Sequence, residues 1–179
     1  NFHWHLSSPI LEKIRKLRWL AVVGLLVVIM QIALGGWTSS NYAALACADL
    51  PTCHNEWVPP MDFSAGFNIF QHIGPNYLGG QMDNQARTAI HFSHRIGAIV
   101  TAIVLLALGI SLFMIKEKTV RYMAAILCVI LVLQITLGLS NVLFALPLPV
   151  AVAHNAVGAM LLLTLVALNH RIFTAQLLR

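Results

Sequence analysis

The sequence predicts an all-α membrane protein: four transmembrane helices in an antiparallel bundle, built from two related hairpins, with a long outer loop between helices 1 and 2. Three observations predict it. Of the 179 residues, 59% are hydrophobic and only 9% charged, against about 25% charged in soluble domains. Four apolar runs are each long enough to cross a bilayer, which takes about 20 residues. Histidines stand inside two of those runs, and an ionisable side chain within a span marks a functional site by default.

Residues 1–179 read as one four-helix domain. Residues 1–18 are polar and basic, with Lys13, Arg15, Lys16 and Arg18 close together. They lack the apolar stretch and small-residue cleavage site of a signal peptide. They also lack an initiating Met, so the chain reads as a processed product or a fragment. The first span is Leu17–Trp37. Residues 38–86 form a polar connection rich in Pro, Gly and Asn. The second span is Arg87–Ile115, and the charged turn Lys116-Glu117-Lys118 leads into the third, Val120–Leu146. After Pro147-Leu148-Pro149 the fourth runs from Val150 to Phe173.

The basic residues orient the bundle. Lys13 to Arg18, the turn with Lys116, Lys118 and Arg121, and the end with Arg171 and Arg179 all fall on one side of a four-span topology. The positive-inside rule makes that side cytoplasmic. Both termini then lie inside, and the long loop lies outside a bacterial inner membrane or its equivalent. The net charge of +5 is spent at helix ends and does not indicate a nucleic-acid partner.

An internal repeat runs through the chain. Gln31-Ile32-Ala33-Leu34-Gly35 echoes Gln134-Ile135-Thr136-Leu137-Gly138, and Ser40-Asn41 echoes Ser140-Asn141. His94 with Gly97-Ala98 echoes His154 with Gly158-Ala159. Two hairpins of related sequence form a bundle with pseudo-two-fold symmetry, and a site between them receives one ligand from each.

Depth makes His94 and His154 a pair. His94 lies seven residues past Arg87, about 10 Å at 1.5 Å per residue. His154 lies five residues past Pro149, about 8 Å. Two imidazoles at one level on different helices can fill both axial positions of a haem iron, and bundle cores commonly hold such cofactors. Nearby Gly97, Ala98, Gly158 and Ala159 leave room for a flat macrocycle, though small residues also serve close helix packing. His91, three residues before His94, is expected on nearly the same face, as a partner of the ligand, a haem-edge contact, a proton carrier or an interhelical hydrogen-bonding residue. Arg87 and Arg95 suit haem propionates or snorkel to headgroups. His3, His5, His54, His72 and His170 lie outside the spans or at an inner end and receive no role.

Cys47 and Cys53, in Cys47-Ala48-Asp49-Leu50-Pro51-Thr52-Cys53, face the oxidising side. A disulfide closing a rigid cover is the favoured reading. A redox-active dithiol and a zinc site completed by His54 are the alternatives. Cys128, alone in an apolar run, reads as a small hydrophobe. Trp57, Phe63, Phe67, Phe70 and Tyr77 read as an interfacial aromatic belt or a cap over an apolar ligand.

The stretches LGGWTSSNYAALACADLPTC, NYLGGQMDNQARTAIHFSHRIGA and LPLPVAVAHNAVGA together resemble the haem A synthase family of cytochrome oxidase assembly proteins. The resemblance covers nearly the whole chain and is to the C-terminal half of eight-span members. It implies haem b ligated by His94 and His154, and a structural disulfide between Cys47 and Cys53. It also implies oxidation of the C8 methyl of haem O to a formyl group. His91 stands where the N-terminal half of the family carries a glutamate. The implied partners are haem O, membrane lipid, a second four-helix half or a second copy of the chain, and haem O synthase and assembly factors. Two other functions remain open at this point: a non-catalytic haem b electron-transfer module, and a membrane thiol oxidoreductase using Cys47 and Cys53.

Overall fold

A computed structural model describes residues 3–70 and 82–178. His72, Tyr77 and the 76–81 part of the resemblance motif lie outside the described residues. In chain order the elements are β1 (His5–Leu6), α1 (Ser8–Lys16), α2 (Arg18–Ser40), α3 (Phe63–Gly66), α4 (Asn84–Phe113), α5 (Lys118–Leu143), α6 (Leu148–Phe173) and β2 (Gln176–Leu177). The helices α2, α4, α5 and α6 are long and apolar enough to cross a membrane. Their 23 to 30 residues span about 35–45 Å at 1.5 Å each.

The span ends differ from the sequence expectation by a few residues, each for a local reason. Helix α2 continues past Trp37 because polar residues bond back into the helix: the Thr38 hydroxyl donates to Leu34 O at 2.8 Å and the Ser40 hydroxyl to Trp37 O at 3.2 Å. Helix α4 begins before Arg87 because the Asp83 carboxylate accepts from the Ala86 N–H at 2.8 Å, capping an otherwise unpaired donor. Helix α5 stops short of Leu146 because Ala145 and Leu146 adopt φ values of 55° and 61°, which no α-helix continues. Pro149 is tolerated in the first turn of α6, where its missing N–H is needed by no carbonyl.

The four spans form a ring. Helix α2 packs on α4 and α6, and α5 packs on the same two. Helices α4 and α6 are therefore diagonal across the bundle. Among the described residues the main apolar cluster lies toward the end away from the loop, while Ala86, Ala89 and Ile90 of α4 are buried separately on the loop side. Along the spans the main cluster reaches Val28 on α2, Leu105 on α4, Leu131 on α5 and Leu161 on α6, and goes no further toward the loop. The outward faces are apolar too: Met30 is 64% exposed and Leu163 67%, as lipid-facing side chains must be.

The end of the bundle away from the loop carries structure that composition hid. Residues 8–16 are an amphipathic helix, α1, with Leu11 and Ile14 buried and Lys13, Arg15 and Lys16 in the last turn. Strands β1 and β2 pair in parallel, so both ends of the chain meet on one side of the bundle. Arg171 lies over the Trp4 ring at 6.0 Å. Arg121 donates from Nε to the Phe113 and Ile115 carbonyls, each at 3.1 Å, closing the exposed end of α4.

The outer connection is not wholly irregular. Its helix α3 is capped by the Asp62 carboxylate, which accepts from Ala65 N at 2.9 Å. Gly66 seats α3 directly on α4: a Cβ there would lie 2.7 Å from the Ala86 carbonyl oxygen. The Trp37 indole N–H donates to Gly66 O at 2.9 Å, tying in the end of α2. A backbone oxygen cannot step aside as a flexible side chain would. Gly66→Ala is therefore expected to destabilise the fold by about 1–3 kcal/mol, the usual cost of overpacking. Thermal unfolding in detergent reads this directly; an unchanged midpoint would show that α3 is free to slide.

Candidate functional site

His94 on α4 and His154 on α6 sit half-buried on the diagonal pair of helices, within electrostatic range of each other. Both lie beyond the end of the main apolar cluster. The sequence repeat becomes a repeat in space. Gln31 on α2 faces His94, with its Nε2 3.1 Å from His94 Nδ1 and donating to His94 O at 3.0 Å. Gln134 on α5 faces His154, with Nε2 to Nε2 at 3.4 Å. Glycines clear both sides. A Cβ on Gly35 would meet His94 Cε1 at 3.2 Å, and one on Gly138 would meet His154 Cε1 at 3.2 Å. A Cβ on Gly97 would collide with the Gln31 amide, and one on Gly158 would lie 3.2 Å from Gln134 Nε2. Sequence reading saw the echo of glutamine and glycine but assigned the glutamines no role, because their partners lie on other helices.

Three polar atoms here are buried without a protein partner: Gln31 Oε1, Gln134 Oε1 and His154 Nδ1. A buried acceptor left unpaired costs roughly 1–3 kcal/mol; Asn141 Oδ1 and Asn169 Oδ1 are likewise unpartnered, so the feature is not confined to this pair. Two cavities elsewhere do not touch the pair. One of about 230 Å³ lies beside His54 and Thr88, and one of about 620 Å³ beside His3 and His170.

His91 and Arg95 turn away from this pair. His91 is expected on nearly the same face as His94, but three residues leave the two about 60° apart on a helix of 3.6 residues per turn. That is enough to aim His91 at the outer loop, where its Nδ1 accepts from the Cys47 N–H at 3.2 Å. The bond runs to a loop amide and not to another helix. Arg95, one turn on, donates from its guanidinium to three loop carbonyls: Thr52 O at 2.8 Å, Asp49 O at 2.8 Å, and Cys47 O. Arg87 sits half-buried in the first turn of α4.

The loop so held is closed by a disulfide between Cys47 and Cys53. Both cysteines are buried and bonded to each other, which leaves neither sulfur as a zinc ligand. Cys128 is a free cysteine, half-buried, against Gly109. Trp57 and Phe70 are exposed, and Phe63 stacks on Phe67 with centroids 6.4 Å apart.

Asp49 is the polar centre of the loop. Its carboxylate accepts from the Thr52 hydroxyl at 2.6 Å, the His54 N–H at 2.8 Å and the Asn55 N–H at 3.0 Å. These donors, the Thr52 hydroxyl first, hold it well below the usual carboxylate range. A depressed folded value means the stabilisation is fully present above the unfolded carboxylate value, about 3.9, and is lost as pH falls from there toward the folded value. The His54 and Asn55 amides are accordingly expected to stay fully protected from hydrogen exchange down to about pH 4 and to lose protection progressively as pH falls further. In Asp49→Asn they should open at every pH. Protection that ignores both the acid and the substitution would remove Asp49 from this role.

Comparison with known proteins decides the family. Residues 2–166 match the family model COX15-CtaA, described as cytochrome oxidase assembly protein. The chain belongs to that family. Among members, it is 47% identical over 157 residues to the heme A synthase of Shewanella oneidensis, covering 88% of this chain and 47% of that protein. The heme A synthase of Nitrosospira multiformis is 32% identical over 154 residues, covering 83% and 38%. That of Methylobacterium radiotolerans is 29% identical over 157 residues, covering 88% and 40%. The chain thus spans about half the length, or less, of the curated family members it matches. No solved structure matches it.

Proposed function

We propose that this chain is a haem-b-bearing, four-helix unit of a haem A synthase, an oxidoreductase that converts the C8 methyl of haem O to a formyl group. The observation that carries the reading is the histidine pair on diagonal spans, set beyond the end of the main apolar cluster. The residues fit a flat macrocycle. Two imidazoles approach from opposite helices, glycines clear their flanks, and buried polar atoms stand without protein partners. His94 and His154 would hold the iron. When bound, the haem supplies one-electron transfer away from the substrate.

The chain's other residues have supporting parts. The disulfide loop, held by His91 and Arg95, covers the loop-side end of the bundle near His94 and limits access of water. With three of its donors on loop carbonyls, Arg95 serves that cover; Arg87, half-buried in the first turn of α4, suits a haem propionate by its guanidinium. His91, its Nδ1 engaged by Cys47, does not replace the glutamate that the family places at the corresponding point of its other half. The substrate pocket therefore comes from a second four-helix unit or a second copy of the chain. The basic clusters put the termini in the cytoplasm and the loop outside. Membrane lipid, haem O, and the enzymes that make haem O and assemble the oxidase are its surroundings.

The test types the haem in the detergent-purified chain by its pyridine haemochrome and then supplies haem O. Stoichiometric haem b with a six-coordinate low-spin spectrum is expected, with conversion of haem O only when a second unit is present. A folded chain that takes up no haem would overturn the reading. Conversion by a monomeric chain would overturn the need for a second unit.

A further inference from the structure

We propose that Gln31 and Gln134 are positioning residues for His94 and His154: each amide orients the ring it faces and accepts the proton left on that ring's non-coordinating nitrogen. The proposal rests on the reading of the histidines as iron ligands. A neutral imidazole carries one proton, so one nitrogen donates and the other accepts. A nitrogen bound to iron has no proton, and the remaining N–H needs an acceptor. Partners of this kind fix ring orientation and raise ligand basicity.

The two glutamines are placed for this. Gln31 donates from Nε2 to the His94 carbonyl at 3.0 Å, with the same Nε2 3.1 Å from His94 Nδ1, so its Oε1 reaches that ring nitrogen when the amide turns over and gives up the carbonyl. Gln134 comes from the equivalent position of the other hairpin but presents its Nε2 to the Nε2 of His154 at 3.4 Å, so the ring nitrogen left for iron is Nε2 on His94 and Nδ1 on His154. Each amide oxygen is buried and unpartnered, and so is His154 Nδ1. An amide presents a donor and an acceptor on one rotatable group, so it serves a ring nitrogen in either protonation state. The glycines complete the arrangement: Gly97 and Gly158 leave the space the amides occupy. Two hairpins arrive at the same glutamine, histidine and glycines, and a core filler needs none of that coincidence.

The experiment uses the haem-loaded chain with Gln31→Glu, Gln31→Leu and the same pair at Gln134, beside His94→Ala. Haem content, midpoint potential and the electron paramagnetic resonance of the ferric form are measured. A charged acceptor makes the imidazole more basic and favours ferric iron, so the Glu variants should lower the potential. The Leu variants remove the acceptor and should raise it, with shifted g values. Opposite shifts at retained haem support the proposal. Wild-type potential and g values in both variants overturn it, and so does equal haem loss from both, because Glu still offers an acceptor. If a Leu variant fails to fold by gel filtration, its Glu counterpart decides alone. Low-spin six-coordinate haem surviving in His94→Ala would instead sink the ligation reading beneath it, whatever the glutamines do.

Discussion

His154→Ala is expected to lose its haem, or to keep a remnant that is five-coordinate and high-spin. Loss of a hydrogen-bonding partner behind a metal ligand costs about 10–100-fold in affinity, and removing the ligand itself costs at least that. His94→Ala should behave alike, since the two rings occupy equivalent places in the two hairpins. The cavity left by alanine invites a control: added imidazole should restore the low-spin spectrum to the variant without refolding it. That outcome separates a missing ligand from a broken bundle. The apolar core also lies outside the site, ending at Leu105 and Leu161, so the folded state should survive either substitution. A full complement of six-coordinate haem in both variants would return His94 and His154 to the role of hydrogen-bonding residues.

The spans were legible because lipid imposes a single-sided rule on the chain: every outward position must be apolar, and about 20 such positions must follow one another. Polar residues within a span then stand out, as His94 and His154 do. The caps were less legible. Asp83 and the hydroxyls of Thr38 and Ser40 extend helices by bonds that no hydropathy count registers. Helix α1 was hidden by its charge. Ile10, Leu11, Ile14 and Leu17 carry its apolar stripe, but the lysines and arginines between them dominate composition.

The histidines stood out in the sequence and their neighbours did not. Gln31 and His94 are 63 residues apart, and Gln134 and His154 are 20 apart. Their meeting is a product of helix packing, and only the repeated glutamine hinted at it. Arg95 shows the converse difficulty. An arginine near a membrane surface suits propionates, headgroups and carbonyls equally well as a donor. Only the fold shows that the disulfide loop lies within its reach.

That placement makes Arg95→Ala the largest stability change expected. The guanidinium donates to the carbonyls of Cys47, Asp49 and Thr52 at once. Hydrogen bonds to a charged group contribute about 1.5–3 kcal/mol each when buried. Part of this is recovered from solvent at a half-exposed site, leaving a cost on the order of 3 kcal/mol. The neutral bond from Cys47 N–H to His91 is worth about 1 kcal/mol, so His91→Ala should do less. Lysine at position 95 should recover only part of the loss, because an ammonium lacks the planar fork that spans three acceptors. Two readouts follow the loop. The thermal midpoint in detergent should fall most for Arg95→Ala. The Cys47–Cys53 disulfide, buried in the parent chain, should become accessible to dithiothreitol and be reduced faster. Should Arg95→Ala melt like the parent and resist reduction equally, the loop would be held by His91 and by the contact of His54 with Thr88, and Arg95 would be left free for an anionic partner. The two results therefore divide the arginines of α4 between the cover and the cofactor.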